Sequence, residues 1–289
     1  MASNSQEILT LVFLYSCIGV ELVCISYLLI LMSRPRSPLR KAYFIISVIG
    51  YMVDVAAKLN EAIDEYSLLS SYFQWHTYYF FGIWHFVLTL NRFTSVVYWQ
   101  TYEMMWSLKK SALWCLGILA YPVLVDITFV LIEPQPFYCV TYLYRSQCRD
   151  FYAMVCFRQS ISNILTSISS LTMSLITIIK IRKTSAPSKI ASRLLVQCVV
   201  LTMFFSVFMA FLVVYSIAWQ SDNVGLIRMS ATVLNNSLYF YQSFGVCWLV
   251  IICHFMVRGG SNDVKVSSVG QAPATPVRAR AASVAQSHF

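Results

Sequence analysis

Charge is what this sequence has least of. Only 11% of its 289 residues are Asp, Glu, Lys or Arg, while 58% are hydrophobic. A soluble domain carries roughly 25% charged residues, so the shortage excludes an ordinary water-soluble globule of this size and points to a membrane protein. Proline is nearly missing where it would matter: of eight prolines, only Pro122 falls inside a long apolar stretch. No His-x-x-His motif and no acid–His cluster occurs, which argues against a membrane zinc hydrolase or a diiron desaturase. His76 and His85, nine residues apart on one helix, would face opposite ways with ~13 Å of rise between them. The last apolar stretch, 230–257, has no lysine to carry a retinal Schiff base. Neither a cofactor nor a metal is expected, and no enzymatic activity.

What is abundant is apolar sequence in lengths of about twenty residues, enough to cross a bilayer as a helix. The stretches are Ile8–Met32, Ala42–Leu59, Tyr72–Leu90, Ser111–Ile132, Tyr152–Ile181, Leu194–Trp219 and Ser230–Val257. They predict an all-α membrane protein, a bundle of seven transmembrane helices over residues 1–258. Residues 259–289 are small, polar and proline-containing, and read as a disordered tail. The lead-in "MASNSQE" has no basic residue, and the apolar run after it is longer than a signal-peptide core, so the first span is expected to stay in the mature protein.

The few charges are sorted. Sixteen of the 21 basic residues fall in the segments after spans one, three and five and in the tail. Seven of the 12 acids, Glu7, Glu61, Asp64, Glu65, Glu133, Asp150 and Asp222, fall on the other side. Basic residues collect on the cytoplasmic side of short loops, so the N-terminus is expected outside and the tail inside, in the cell membrane. The formal charge of +9 is then accounted for by an anionic inner leaflet and membrane lipids, and nucleic acid is not a partner.

One short stretch carries more. "LNRFTSVVYWQTYEMMWS" follows the third span and places Arg92 at its inner end. By itself Arg92 reads as an anchor that snorkels to the headgroups. The run as a whole, with Asn91, Arg92, Thr94, Glu103 and Trp106 in place, resembles the nematode serpentine chemoreceptors of the gamma and V classes. That resemblance implies a G-protein-coupled receptor for a small extracellular molecule. It assigns Asn91 and Arg92, with Lys183 and Lys189 of the next basic loop, to coupling with a heterotrimeric G protein. Asn91 stands where rhodopsin-like receptors have an acid, so Arg92 would be held at rest by a hydrogen bond instead of a salt bridge. The seventh stretch lacks Asn-Pro-x-x-Tyr, so a mechanism built on proline kinks does not carry over. A multi-pass small-solute transporter is the alternative, but it would favour internal repeats, and none is visible.

Ionisable residues within the spans are functional candidates or fix helix packing. Glu21 lies mid-span. Asp54 and Lys58 are spaced to pair at i,i+4. Asp126 lies near the outer end of span four, within reach of water, and Arg158 about two turns into span five. Trp75 and Tyr79 share a face of the aromatic third span. With His76, Arg158, Tyr215 and Trp219 they form the expected ligand pocket, in which Arg158 would select a carboxylate. Two of the nine cysteines, Cys139 and Cys148, lie in an extracellular loop. An oxidising exterior favours a bridge between them, worth roughly 2–3 kcal/mol; the alternative is two free thiols.

Overall fold

The computed structural model describes residues 2–34, 42–63, 68–126, 146–183, 189–221 and 223–267. They form eight helices: α1 (Ala2–Ser33), α2 (Ala42–Ile63), α3 (Leu68–Val97), the single turn α4 (Tyr102–Met105), α5 (Leu108–Val125), α6 (Ser146–Lys183), α7 (Lys189–Gln220) and α8 (Val224–Ser267). No strand occurs among the described residues. The proline-poor composition leaves the helices unbroken; Pro122 sits in the last turn of α5, where it gives up its own bond to the Ile118 carbonyl and the helix ends within a turn. The expected tail begins inside α8, which continues to Ser267; residues 268–289 lie outside the described set.

Six helices, α1, α2, α5, α6, α7 and α8, are long and apolar enough to cross a membrane. The expected third span, α3, is 30 residues long, about 45 Å at 1.5 Å per residue, but it is less apolar. Its position explains why. α3 packs against α2, α5, α6 and α7, and Tyr79, Phe80, Phe81, Trp84 and Val87 on it are fully buried. A helix surrounded by other helices need not present a hydrocarbon-compatible surface. The peripheral helices do the reverse. Leu9, Val23, Leu113 and Leu124 point outward at about 70% exposure, as lipid-facing side chains would. The other contacts run α1–α2, α1–α8, α2–α5, α2–α8, α6–α7 and α7–α8, so the peripheral helices wrap around α3.

Two glycines set how closely neighbours approach α3. The Trp84 indole N–H donates to the Ile46 carbonyl at 2.9 Å. Gly50 follows Ile46 by four residues, and a Cβ at Gly50 would collide with that indole. The same device recurs on α3 itself. Asn163 Nδ2 donates to the Tyr78 carbonyl at 2.8 Å, and a Cβ at Gly82, again four residues on, would strike Asn163. Side chains lean toward the helix N-terminus, so residue i+4 covers the carbonyl of residue i. Glycine at i+4 uncovers it for a donor on the next helix.

Gly50→Ala and Gly82→Ala should each lower the thermal midpoint of the detergent-solubilised protein, by the roughly 1–3 kcal/mol that overpacking costs. Gly117→Ala is the control, because a Cβ there meets nothing within 4 Å, and it should leave the midpoint unchanged. If all three variants melt alike, the carbonyl-access account of these glycines is wrong.

Candidate functional site

At the end of the bundle where α3 finishes, the stretch singled out in the sequence folds back on itself. Thr94 uses its hydroxyl proton on the Leu90 carbonyl at 2.9 Å, which leaves its oxygen to accept the Trp106 indole N–H at 2.8 Å. Asn91 is fully buried and its Oδ1 accepts from Tyr102 at 3.2 Å. The one-turn helix α4 is thereby fastened under α3, with Glu103 exposed in its first turn. Arg92 is not held by Asn91, as expected from the sequence. Its guanidinium lies 3.6 Å from the centre of the Tyr43 ring of α2, and its Nε is buried with no hydrogen-bond partner. Asn91 Oδ1 accepts from Tyr102 and its Nδ2 is buried without a hydrogen-bond partner, and a cation–π contact stands where the hydrogen bond from Arg92 was expected. Lys183 is exposed in the last turn of α6 at the same end. Lys189 begins α7, and its side chain lies outside the described residues.

Midway along the bundle three buried charges meet. Lys58 is 1% exposed and its Nζ lies 2.5 Å from Glu21 and 2.6 Å from Asp54. The i,i+4 pair read from the sequence is present, and Glu21 of α1 joins it. Ser243 of α8 donates to Glu21 at 2.7 Å, and the Tyr239 ring lies 5.3 Å from the ammonium. Tyr239 in turn donates to Glu61. The second oxygen of Glu21 and both polar atoms of Gln242 are buried without a hydrogen-bond partner. On the other side of the core His85 joins α3 to α7 and α8. Thr202 spends its proton on the Cys198 carbonyl at 2.7 Å, so it accepts from His85 Nε2 at 2.8 Å. That fixes the proton on Nε2, and Nδ1 accepts from Tyr241 at 3.1 Å.

At the opposite end, Asp126 caps α5 and is 1% exposed. It was expected to reach water. Instead Arg158 of α6 donates to its Oδ1 at 2.5 Å, while Trp75 and Tyr79 of α3 donate to its Oδ2 at 3.3 and 3.1 Å. Three of the six expected ligand residues, Trp75, Tyr79 and Arg158, therefore converge, and they converge on a carboxylate that the sequence reading left out of the pocket. Arg158 already has an anionic partner, so it is not the lone cation that a ligand carboxylate was expected to meet. Tyr215 and Trp219 pack edge to face at 6.1 Å in a separate cluster with Cys156 and Ile227. His76 turns toward α5 and donates from Nε2 to the Leu119 carbonyl at 3.1 Å. Beside it a cleft of about 380 Å³ opens between α2, α3 and α5. Cys139 and the side chain of Cys148 lie outside the described residues, and among those residues no group of His, Cys, Asp and Glu could hold a metal ion.

The family description "Srg family chemoreceptor" matches residues 51–258, more than half of the chain. That range contains Arg92, Lys58, His85 and the Asp126 cluster; Tyr43 and Glu21 precede it. Among curated proteins none matches the chain significantly.

The Asp126–Arg158 pair makes a prediction of its own. Arg158→Leu leaves a buried carboxylate uncompensated, a loss of roughly 3–5 kcal/mol, and should sharply lower the thermal midpoint. Adding Asp126→Asn, which keeps an acceptor for Trp75 and Tyr79, should recover most of that loss. A double variant as unstable as the sum of the two single ones would show that the two groups are not coupled.

Proposed function

The chain belongs to the Srg family, a gamma-class family of nematode serpentine chemoreceptors, and we propose from this that it detects a small molecule outside the cell and activates a heterotrimeric G protein inside. The family is one of receptors rather than enzymes, and the apolar helices make the chain a multi-pass membrane protein. In this reading α3 is the seventh span, its low hydropathy a result of its central place. The N-terminus is outside, because Arg34, Lys109, Lys110, Lys180, Arg182 and Lys183 share one end of the bundle with Arg92 and basic residues favour the cytoplasmic side. The ligand enters the opposite half, where Trp75, His76, Tyr79 and Arg158 stand, with Tyr215 and Trp219 behind α6. The residues that meet the G protein are Asn91, Arg92, which rests on Tyr43, the exposed Lys183 at the end of α6, and Lys189 at the start of α7.

The observation that carries the coupling half is the state of Arg92. Its guanidinium rests on an aromatic face, a contact worth about 0.5–2 kcal/mol. A carbonyl or carboxylate on an incoming helix end offers a charge-assisted hydrogen bond worth about 1.5–3 kcal/mol. At the middle of both ranges the exchange is favourable, and Trp106 and Tyr102 fasten the neighbouring Thr94 and Asn91.

A tag at Met1 should bind antibody on intact cells, and a tag after Phe289 only after permeabilisation. The reverse pattern would overturn the orientation and everything placed by it.

Arg92→Ala should reach the cell surface like the wild type and lose roughly ten- to a hundredfold in G-protein activation, the worth of one charge-assisted bond. Arg92→Lys should retain part of it. Normal activation by Arg92→Ala would leave Arg92 as a headgroup anchor only.

A further inference from the structure

We propose that the cleft between α2, α3 and α5 is a binding site for an uncharged, largely apolar small molecule with a single hydrogen-bond donor, such as a medium-chain alcohol, and that this molecule enters from the lipid side. The proposal deepens the chemoreceptor reading and rests on it for its meaning in signalling, but the site itself is argued from geometry.

The cleft is walled by Met52, Val53 and Ala56 of α2, Tyr72, Phe73 and His76 of α3 and Leu119 of α5. None of its lining residues carries a carboxylate, an ammonium or a guanidinium, so nothing there offsets the desolvation of a charged ligand. At about 380 Å³ it holds on the order of ten non-hydrogen atoms, taking the ≈ 30 Å³ that a water occupies in the liquid. Its mouth is on the side of the bundle. Met52 is near the middle of the α2 span and 52% exposed, which places it against hydrocarbon. A molecule that arrives there has first dissolved in the bilayer.

Two polar side chains line it, Tyr72 with its phenol hydroxyl and His76 with its ring, and the ring is fixed in direction. The His76 ring is stacked between Tyr72 and Phe80, one turn before and one turn after it, at 6.3 and 5.8 Å. A carbonyl only accepts, so the contact with Leu119 places the proton of the neutral ring on Nε2. Nδ1 is then a lone-pair acceptor, and no donor among the described residues meets it. A largely apolar wall with one immobile acceptor and one phenol selects a ligand with an apolar body and one hydroxyl, which donates to the ring and can accept from the phenol.

The test uses the full chain in phosphatidylcholine nanodiscs and a diazirine-bearing aliphatic alcohol as photolabel, with 1-octanol, octane and octanoic acid as competitors. Adducts should map to the Met52–Ala56 and Phe73–His76 segments, with 1-octanol the best competitor and octanoate the poorest. Ala56→Trp, which fills the cleft from an exposed α2 position and leaves His76 intact, should abolish labelling. His76→Phe should weaken 1-octanol competition about two- to tenfold, the worth of one neutral hydrogen bond, and leave octane unchanged. His76→Gln, which can still donate to Leu119 and accept from a ligand, should restore part of the difference. Labelling that survives Ala56→Trp, or octanoate that competes as well as octanol, overturns the proposal. So does a diazirine-bearing phospholipid that labels the cleft and resists octanol, since the occupant would then be the bilayer itself. Because the readout is binding, saturable labelling without G-protein activation would leave the site standing and remove the signalling role. Octanol-driven activation that Ala56→Trp does not affect would do the opposite.

Discussion

A helix in hydrocarbon has no water to satisfy its polar groups, so each of them must find its partner inside the protein. Here that requirement falls mainly on α3. Along this one helix Trp75 and Tyr79 reach Asp126 at the end of α5, and Tyr78 donates to Asn235 of α8 at 2.7 Å. Trp84 reaches the Ile46 carbonyl of α2, and His85 joins Thr202 of α7 and Tyr241 of α8. Asn163 of α6 reaches the Tyr78 carbonyl, so removing the central helix would take polar partners from five others. The peripheral helices keep their polar groups on inward faces, such as Asn163, Ser170 and Thr177 of α6, and can leave their outward faces apolar. Charge follows the same rule: Lys58 is tolerable in the core only because two carboxylates close on it, and a buried ammonium without them would not stay ionised.

What the sequence makes legible follows from the reach of each signal. Length and hydropathy locate six of the helices well, and the family motif finds the Arg92 end, because both are local properties. The i,i+4 spacing exposes Asp54–Lys58 and the shared face of Trp75 and Tyr79, since a helix relates those positions by itself. Glu21 is 37 residues from Lys58, and Arg158 is 32 from Asp126. No single-sequence rule joins positions on separate helices, so Asp126 reads as a water-facing acid and Arg158 as a lone cation. Each misreading is the other's missing partner. The same limit hides Tyr43: an aromatic residue at a span end looks like an interface residue until α3 brings a guanidinium onto its face. The low hydropathy of α3 is the most informative deviation, and in hindsight a readable one. A span of ~20 residues that keeps two histidines, a glutamine and several tyrosines cannot face lipid on many sides, so it belongs in the middle.

The polar contacts along α3 form three stations, at Asp126, at His85 and at Arg92. Trp75 and Arg92 are seventeen residues apart, about 26 Å along a helix. A rigid rod cannot slide or turn at one station without straining the others, and hydrogen-bonded pairs exchange in steps instead of stretching. The stations differ in how firmly they hold. Breaking the Asp126–Arg158 pair would expose a buried carboxylate at a cost of roughly 3–5 kcal/mol. The His85 junction loses two hydrogen bonds at once, about 1 kcal/mol each before the desolvation penalty. The Arg92–Tyr43 contact is worth about 0.5–2 kcal/mol and leaves behind a ring that needs no partner. The end of the bundle where the motif residues gather is thus the one that yields first when α3 is displaced, and the order of those three energies, more than any single contact, gives the helix a fixed end and a free one.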